Sequence, residues 1–134
     1  MIRRSAIQIP FRYAAGKVAS RFLRELRDEG RILGAPCATC GRVSCPARSS
    51  CPACGQTTSG LVEVGPGATL LGVTEVPGSG TFGLVRLDGA DNGMLHRLLG
   101  DRRWTAGDRL RARISGQRCA SILDIEGFEK EEPT

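Results

Sequence analysis

Two Cys-x-x-Cys-Gly repeats, 37-CATCG-41 and 51-CPACG-55, constrain this chain more than any other feature of its sequence. Five of its six cysteines lie between Cys37 and Cys54; four of them form the two pairs, ten residues apart, and Cys45 stands between. Two such turns facing each other offer four soft thiolates to one ion, in the tetrahedron that structural zinc prefers. Gly41 and Gly55 follow the pairs directly, where a residue that tolerates positive φ lets backbone N–H groups point toward the sulfurs. The predicted ligands are therefore Cys37, Cys40, Cys51 and Cys54.

Four sulfurs leave no coordination position for water or substrate, so the metal is expected to be structural and not catalytic. A ribbon of this size buries too little apolar surface to fold unaided, and metal binding supplies the missing free energy. Two other readings use the same thiols. One is an iron ion in the same donor set. The other is a pair of disulfides, a framework that belongs to secreted chains. The N-terminal stretch MIRRSAIQIPFRYAAGK begins basic, but Gln8 and Pro10 interrupt any apolar run before it reaches secretory length. The absence of acids before Glu25 is also how a mitochondrial transit peptide reads. A cytoplasmic location is the expectation.

The isolated cysteines, Cys45 and Cys119, read as small fillers and not as reactive thiols, because no histidine is near either in sequence. No run of about 18 apolar residues exists, so no membrane-spanning helix is expected.

Before the cysteines, Phe11, Ala15, Val18, Phe22 and Leu26 recur at intervals of four and three, predicting a helix over 11–29 with Gly30 as its C-cap. Lys17, Arg21 and Arg24 fall on another face as a basic stripe. After the cysteines, short β-rich segments are separated by Gly, Pro and Asp, predicting strands over 68–77, 81–90, 94–99, 108–115 and 120–128. Residues 108–115 alternate strictly, with Leu110, Ala112 and Ile114 on one face and Arg109, Arg111 and Arg113 on the other. Five short antiparallel strands suit a small barrel, of which the OB-fold is the commonest five-stranded design. The fold class is α+β, mainly β: an N-terminal helix, a rubredoxin-like four-Cys ribbon and an OB-fold. The expected divisions are 1–33 (helical segment), 34–60 (zinc ribbon), 61–128 (OB-fold) and 129–134 (acidic tail).

Charge is uneven. Residues 1–60 hold ten Lys/Arg against three Asp/Glu, whereas 61–134 hold nine against eleven. Four zinc-bound thiolates would lower the formal charge of +5 to +3, a modest basic excess. Nothing in the sequence reads as an active site. His96 is the only histidine, no Gly-rich phosphate loop is present, and Asp88 and Asp91 in LDGADNG read as turn residues.

In this order, FLRELRDEGRILG, the ribbon CATCGRVSCPARSSCPACG, a linking strand, then FGLVRLDGADNGMLHRLL, GDRLRAR and SILDIEGF, the chain resembles the DUF35 family of zinc-ribbon, OB-fold proteins over about residues 11–128. The resemblance implies a non-catalytic accessory subunit of a thiolase-fold acyl-CoA enzyme (a thiolase, a hydroxymethylglutaryl-CoA synthase, an acyltransferase or an aldolase), in a hetero-oligomer, bridging or completing that enzyme and helping hold the acyl-CoA. Cys37, Cys40, Cys51 and Cys54 match the family's zinc ligands, and no catalytic residue carries over. One departure is Cys45 before Pro46, where the family has an apolar or aromatic residue.

A coenzyme A ester carries phosphates, so the basic stripes Lys17, Arg21 and Arg24 or Arg109, Arg111 and Arg113 are the candidate CoA-phosphate or partner contacts. The alternative is a nucleic-acid-binding ribbon and OB module. It calls for a positive groove and stacking aromatics, and the barrel half offers only Phe82, Trp104 and Phe128. An independent enzyme is the third reading.

Overall fold

Helix α1 (Lys17–Glu29) begins the ordered architecture in this computed structural model, which describes residues 1–131. Its Phe22 and Leu26 are buried against the strand that follows, a burial worth about 1.5–3 kcal/mol for each side chain. Gly30 ends it in the left-handed conformation, φ 67°, with its N–H on the Leu26 carbonyl at 3.1 Å. Arg118 reaches from a distant loop to donate to the Arg27 carbonyl at 2.7 Å, satisfying another orphan acceptor of the last turn.

The helix is shorter than the periodicity predicts. Residues 11–16 lie outside it, and Phe11 is 75% exposed. Gly16, at φ 87°, breaks the helical path and offers no side-chain cap. A helical turn at 11–16 would have no surface on which to bury its apolar face, and packing contributes most of a helix's stability in a protein.

Strands β1 (Ile32–Pro36), β2 (Val43–Ser44) and β3 (Val62–Val64) form an antiparallel sheet in the order β2-β1-β3. β3, in the segment assigned to the barrel, is thus paired with the ribbon's first strand. Gly34 leaves room on the central strand for the side chains of both neighbours: a Cβ there would lie 2.6 Å from Val43 Cγ1 and 3.0 Å from Val64 Cγ1.

Strands β4 (Gly67–Val76), β5 (Gly80–Leu87), β6 (Met94–Arg97), β7 (Arg109–Ile114) and β8 (Ile125–Lys130) form a second antiparallel sheet in the order β6-β5-β4-β7-β8. Its two edges meet. Leu98, just past β6, bridges Phe128 of β8 in parallel, and the Leu99 N–H donates to the Phe128 carbonyl at 2.8 Å. That closure makes the five strands a barrel with OB-fold connectivity. Leu70, Val85, Leu87, Leu110, Ile125 and Phe128 fill it. His96 also points inward, its Nε2–H donating to the Ile125 carbonyl at 2.6 Å and its ring edge against Phe128 at 5.8 Å, consistent with a structural histidine.

The last predicted strand is displaced. Residues 122–124 form a short 3-10 turn, and β8 starts at Ile125 and runs through Lys130. Asp124 causes this: its carboxylate accepts the N–H groups of Cys119, Ala120 and Ser121, while the Ser121 hydroxyl accepts the Leu123 N–H. These local bonds compete with a strand ladder and win. Glu129 and Lys130, assigned to the acidic tail, close β8, and Lys130 pairs with Asp108 at 3.2 Å. Glu131 follows the strand with its N–H on the Arg109 carbonyl, and 132–134 lies outside the described residues.

Candidate metal centre

Both Cys-x-x-Cys turns have the same backbone design. In the first, the Cys37 N–H donates to the Arg42 carbonyl and the Gly41 N–H returns to the Cys37 carbonyl, each at 2.8 Å. In the second, Cys51 and Gln56, then Gly55 and Cys51, repeat these bonds at 2.8 and 2.9 Å. Gly41 and Gly55 take φ 78° and 77°, the left-handed conformation that closes each turn.

The turns face each other, and all four sulfurs lie within 4.8 Å of one another. Cys37 Sγ and Cys54 Sγ are 3.5 Å apart, as are Cys40 Sγ and Cys51 Sγ. Sulfurs bound to zinc at ~2.3 Å in a tetrahedron are spaced by ~3.8 Å, so the cluster already has the size of a zinc site. The six cysteines are all free thiols, against the disulfide reading.

Backbone dipoles polarise the cluster. The Cys40 N–H, with that of Thr39, holds the Cys37 thiol down at about 6, and the N–H groups of Cys54 and Ala53 lower Cys51. At Cys54 the Gln56 N–H also favours the thiolate, but burial and the thiols of Cys37, Cys40 and Cys51 outweigh it and push it up to about 11. At Cys40 the Arg42 N–H is outweighed in the same way. The first sulfur of each pair therefore ionises readily and the second resists; a dication in the middle lets all four ionise.

One loop of the barrel grips the ribbon. Asp91 Oδ2 accepts the Val43 N–H at 2.7 Å, and the Asp91 N–H returns to the Val43 carbonyl at 2.8 Å. Asn92 Oδ1 accepts the Cys45 N–H at 2.8 Å and its Nδ2 donates to the Cys45 carbonyl at 3.1 Å. Asp91 and Asn92 thus serve the ribbon edge as a strand would, and a cleft forms between them and Pro52 and Ala53 of the second turn. This role is not legible in the sequence, since an Asp-Asn-Gly stretch signals a turn before anything else. Cys45 itself is buried beside them, and burial pushes its thiol up to about 12, as expected of a filler. Cys119 is exposed, contrary to a buried filler, with its N–H on Asp124.

The basic stripes differ. Lys17, Arg21 and Arg24 stand exposed along α1 and line one shallow groove with Ser20. On the strand stripe, Arg109 and Arg113 are engaged by carboxylates. Arg109 binds Asp88 through two bonds, 2.9 and 2.6 Å, and approaches Glu131. Arg113 pairs with Glu126 at 3.4 Å, and Arg111 stands opposite Glu129 in the ladder. Glu126 and Glu129 sit on the neighbouring strand β8 and Asp88 in the turn after β5, none of which the sequence alone places beside the arginines.

Comparison with known proteins agrees with this geometry. Residues 24–58 match the family model described as "ChsH2, rubredoxin-like zinc ribbon domain". A structure from Sulfolobus solfataricus, described as a protein with unknown function from the DUF35 family, superposes with a TM-score of 0.65 at 20% identity, over 87% of each chain. A structure described as an Ltp2-ChsH2(DUF35) aldolase superposes with a TM-score of 0.59 at 18% identity, over 88% of this chain and 98% of that one. No curated protein matches. The four-Cys cluster is that of a zinc ribbon, and its sulfurs fit the ion. Among the described residues, no helix is long and apolar enough to cross a membrane.

Proposed function

We propose that this chain, which belongs with the DUF35 proteins by its zinc ribbon and its fold, is a non-catalytic accessory subunit that binds a thiolase-fold acyl-CoA enzyme in a hetero-oligomer. The carrying observation is the likeness, across nearly the whole chain, to a DUF35 chain solved in an aldolase assembly. The site chemistry supports it. Four sulfurs close the metal shell, and the only histidine is engaged inside the barrel. A zinc-clamped ribbon, fixed to the barrel by Asp91 and Asn92, is a preorganised docking surface that loses little entropy on binding.

Within that role the helix stripe is the seat for the phosphates of a coenzyme A ester. Lys17, Arg21 and Arg24 face solvent together, whereas Arg109 and Arg113 are held by carboxylates. The protein acts in the cytoplasm, where thiols stay reduced.

The nucleic-acid reading loses support in the barrel. Phe128 is buried, Trp104 packs on the core, and Arg97 covers Phe82 at 5.1 Å from its ring centroid, so no open stacking platform is offered by these three.

The test is purification of the tagged chain from its source, identification of the stoichiometric partner, and assay of that partner's turnover with and without the chain. A thiolase-fold partner whose acyl-CoA turnover rises with the chain is expected. Salt-dependent retention of single-stranded nucleic acid, with no such partner, overturns the reading.

A further inference from the structure

Residues 1–15 make no hydrogen bond among the described residues and are exposed throughout. Exposure on this scale is ordinary for polar termini. This terminus is not polar: Ile7, Ile9, Phe11 and Tyr13 are 81, 72, 75 and 80% exposed. They recur at every second residue, with Gln8, Pro10 and Arg12 between them. The period of two places all four on one side of an extended chain, and the Phe11 and Tyr13 rings lie together there, centroids 5.9 Å apart.

We infer that Ile7–Tyr13 is a docking strand that adds itself to an open sheet edge on the enzyme partner, an edge lined by apolar pockets and acidic side chains. The inference rests on the accessory-subunit reading for the partner's identity.

Proline fixes the polarity of the docking. In an extended chain the N–H and C=O groups of odd residues point to one edge and those of even residues to the other. The odd edge, residues 7, 9, 11 and 13, keeps every donor and acceptor. The even edge lacks a donor at Pro10. The segment can therefore complete a ladder on one side only and ends the sheet on the other, as an edge strand does.

Charge selects the partner. Arg3, Arg4, Arg12 and Lys17 surround the apolar row, and no acid precedes Glu25. A second copy of this chain is disfavoured as the receptor. Its exposed apolar face, where Leu84 stands opposite Leu95, is flanked on the same side by Arg86 and Arg97, which carry the same charge as the arm.

The test uses the full-length, zinc-loaded chain bound to the enzyme that co-purifies with it. Amide exchange measured by NMR should slow at least tenfold at Ile7, Ile9, Phe11 and Tyr13 on binding, and not at Gln8 or Arg12. The triple variant Ile7→Asp, Ile9→Asp, Phe11→Asp should bind at least tenfold more weakly while keeping one zinc per chain. Unchanged affinity of that variant overturns the inference, as does unbroken protection across 7–13. The alternating protection appearing in the isolated chain, with a concentration-dependent dimer, makes a second copy the receptor and overturns it as well. Alternating protection on a partner without a thiolase fold supports the docking strand and sinks the accessory-subunit reading. A bound thiolase-fold enzyme with an unprotected arm does the reverse. Recovery of the chain with no partner overturns both.

Discussion

Asn92 holds Cys45 by both of its backbone groups, accepting the N–H at 2.8 Å and donating to the carbonyl at 3.1 Å, across 47 residues of sequence. This amide joins the zinc ribbon to the barrel, because Cys45 lies inside the ribbon loop and Asn92 between β5 and β6.

Asn92→Ala should leave both groups of a buried residue without their partner and cost about 2 kcal/mol of stability. Asn92→Asp, which keeps the acceptor but sets a carboxylate oxygen against the Cys45 carbonyl, should also destabilise. Denaturant unfolding gives the free energies, and amide exchange at Cys45 locates the loss. A wild-type exchange rate at Cys45 in the Ala variant would refute the clamp.

Cys37→Ser and Cys54→Ser should each abolish stoichiometric zinc, unfold the ribbon and prevent complex formation, because metal binding supplies its folding free energy. Chelation of the wild type should do the same. Acidification should release zinc, since protons compete with the ion for the sulfurs. Elemental analysis alongside circular dichroism reads both effects.

Asp124 carries a pH dependence whose sign follows from its surroundings. Burial alone would raise its carboxyl, but the N–H groups of Cys119, Ser121 and Ala120 outweigh this and hold it below the ordinary value of 3.8. A carboxyl depressed in the folded state contributes stability above its unfolded pKa and loses it as pH falls through the folded one. The stability gap between wild type and Asp124→Asn should therefore be full at pH 6, about 1–3 kcal/mol, and shrink on acidification below pH 3.8. Urea midpoints at several pH values measure it, and a gap that widens in acid would contradict the assignment.

The two basic stripes should separate in a titration of the enzyme complex with an acyl-CoA. Replacing Lys17, Arg21 and Arg24 by Ala should weaken binding at least tenfold and flatten its salt dependence, with zinc unchanged. Arg109→Ala should leave affinity alone, since that guanidinium is engaged by Asp88. No heat from the wild-type complex would remove coenzyme A from the reading.

The metal centre was legible in the sequence because its determinants are local: a Cys-x-x-Cys-Gly turn places its own sulfurs. The strict alternation of Arg109 to Ile114 likewise announced β7. What escaped depends on distant neighbours. Phe11 and Ala15 continue a helical period, yet no surface of the molecule meets them, and the helix starts at Lys17. Arg109 and Arg113 look cationic until the register brings Asp88 and Glu126 to them. Asp124 reads as an ordinary strand residue until its carboxylate gathers three N–H groups. Asp91 reads as a turn residue, and Asn92 draws no notice, because the ribbon edge they serve lies almost fifty positions earlier.

Native mass spectrometry of the complex recovered from the source organism, with zinc counted in the same spectrum, tests the accessory-subunit reading most directly. The expected mass is that of this chain with one zinc ion, in fixed stoichiometry with a thiolase-fold enzyme. A zinc-bearing chain recovered alone, or with nucleic acid in place of an enzyme, would contradict it.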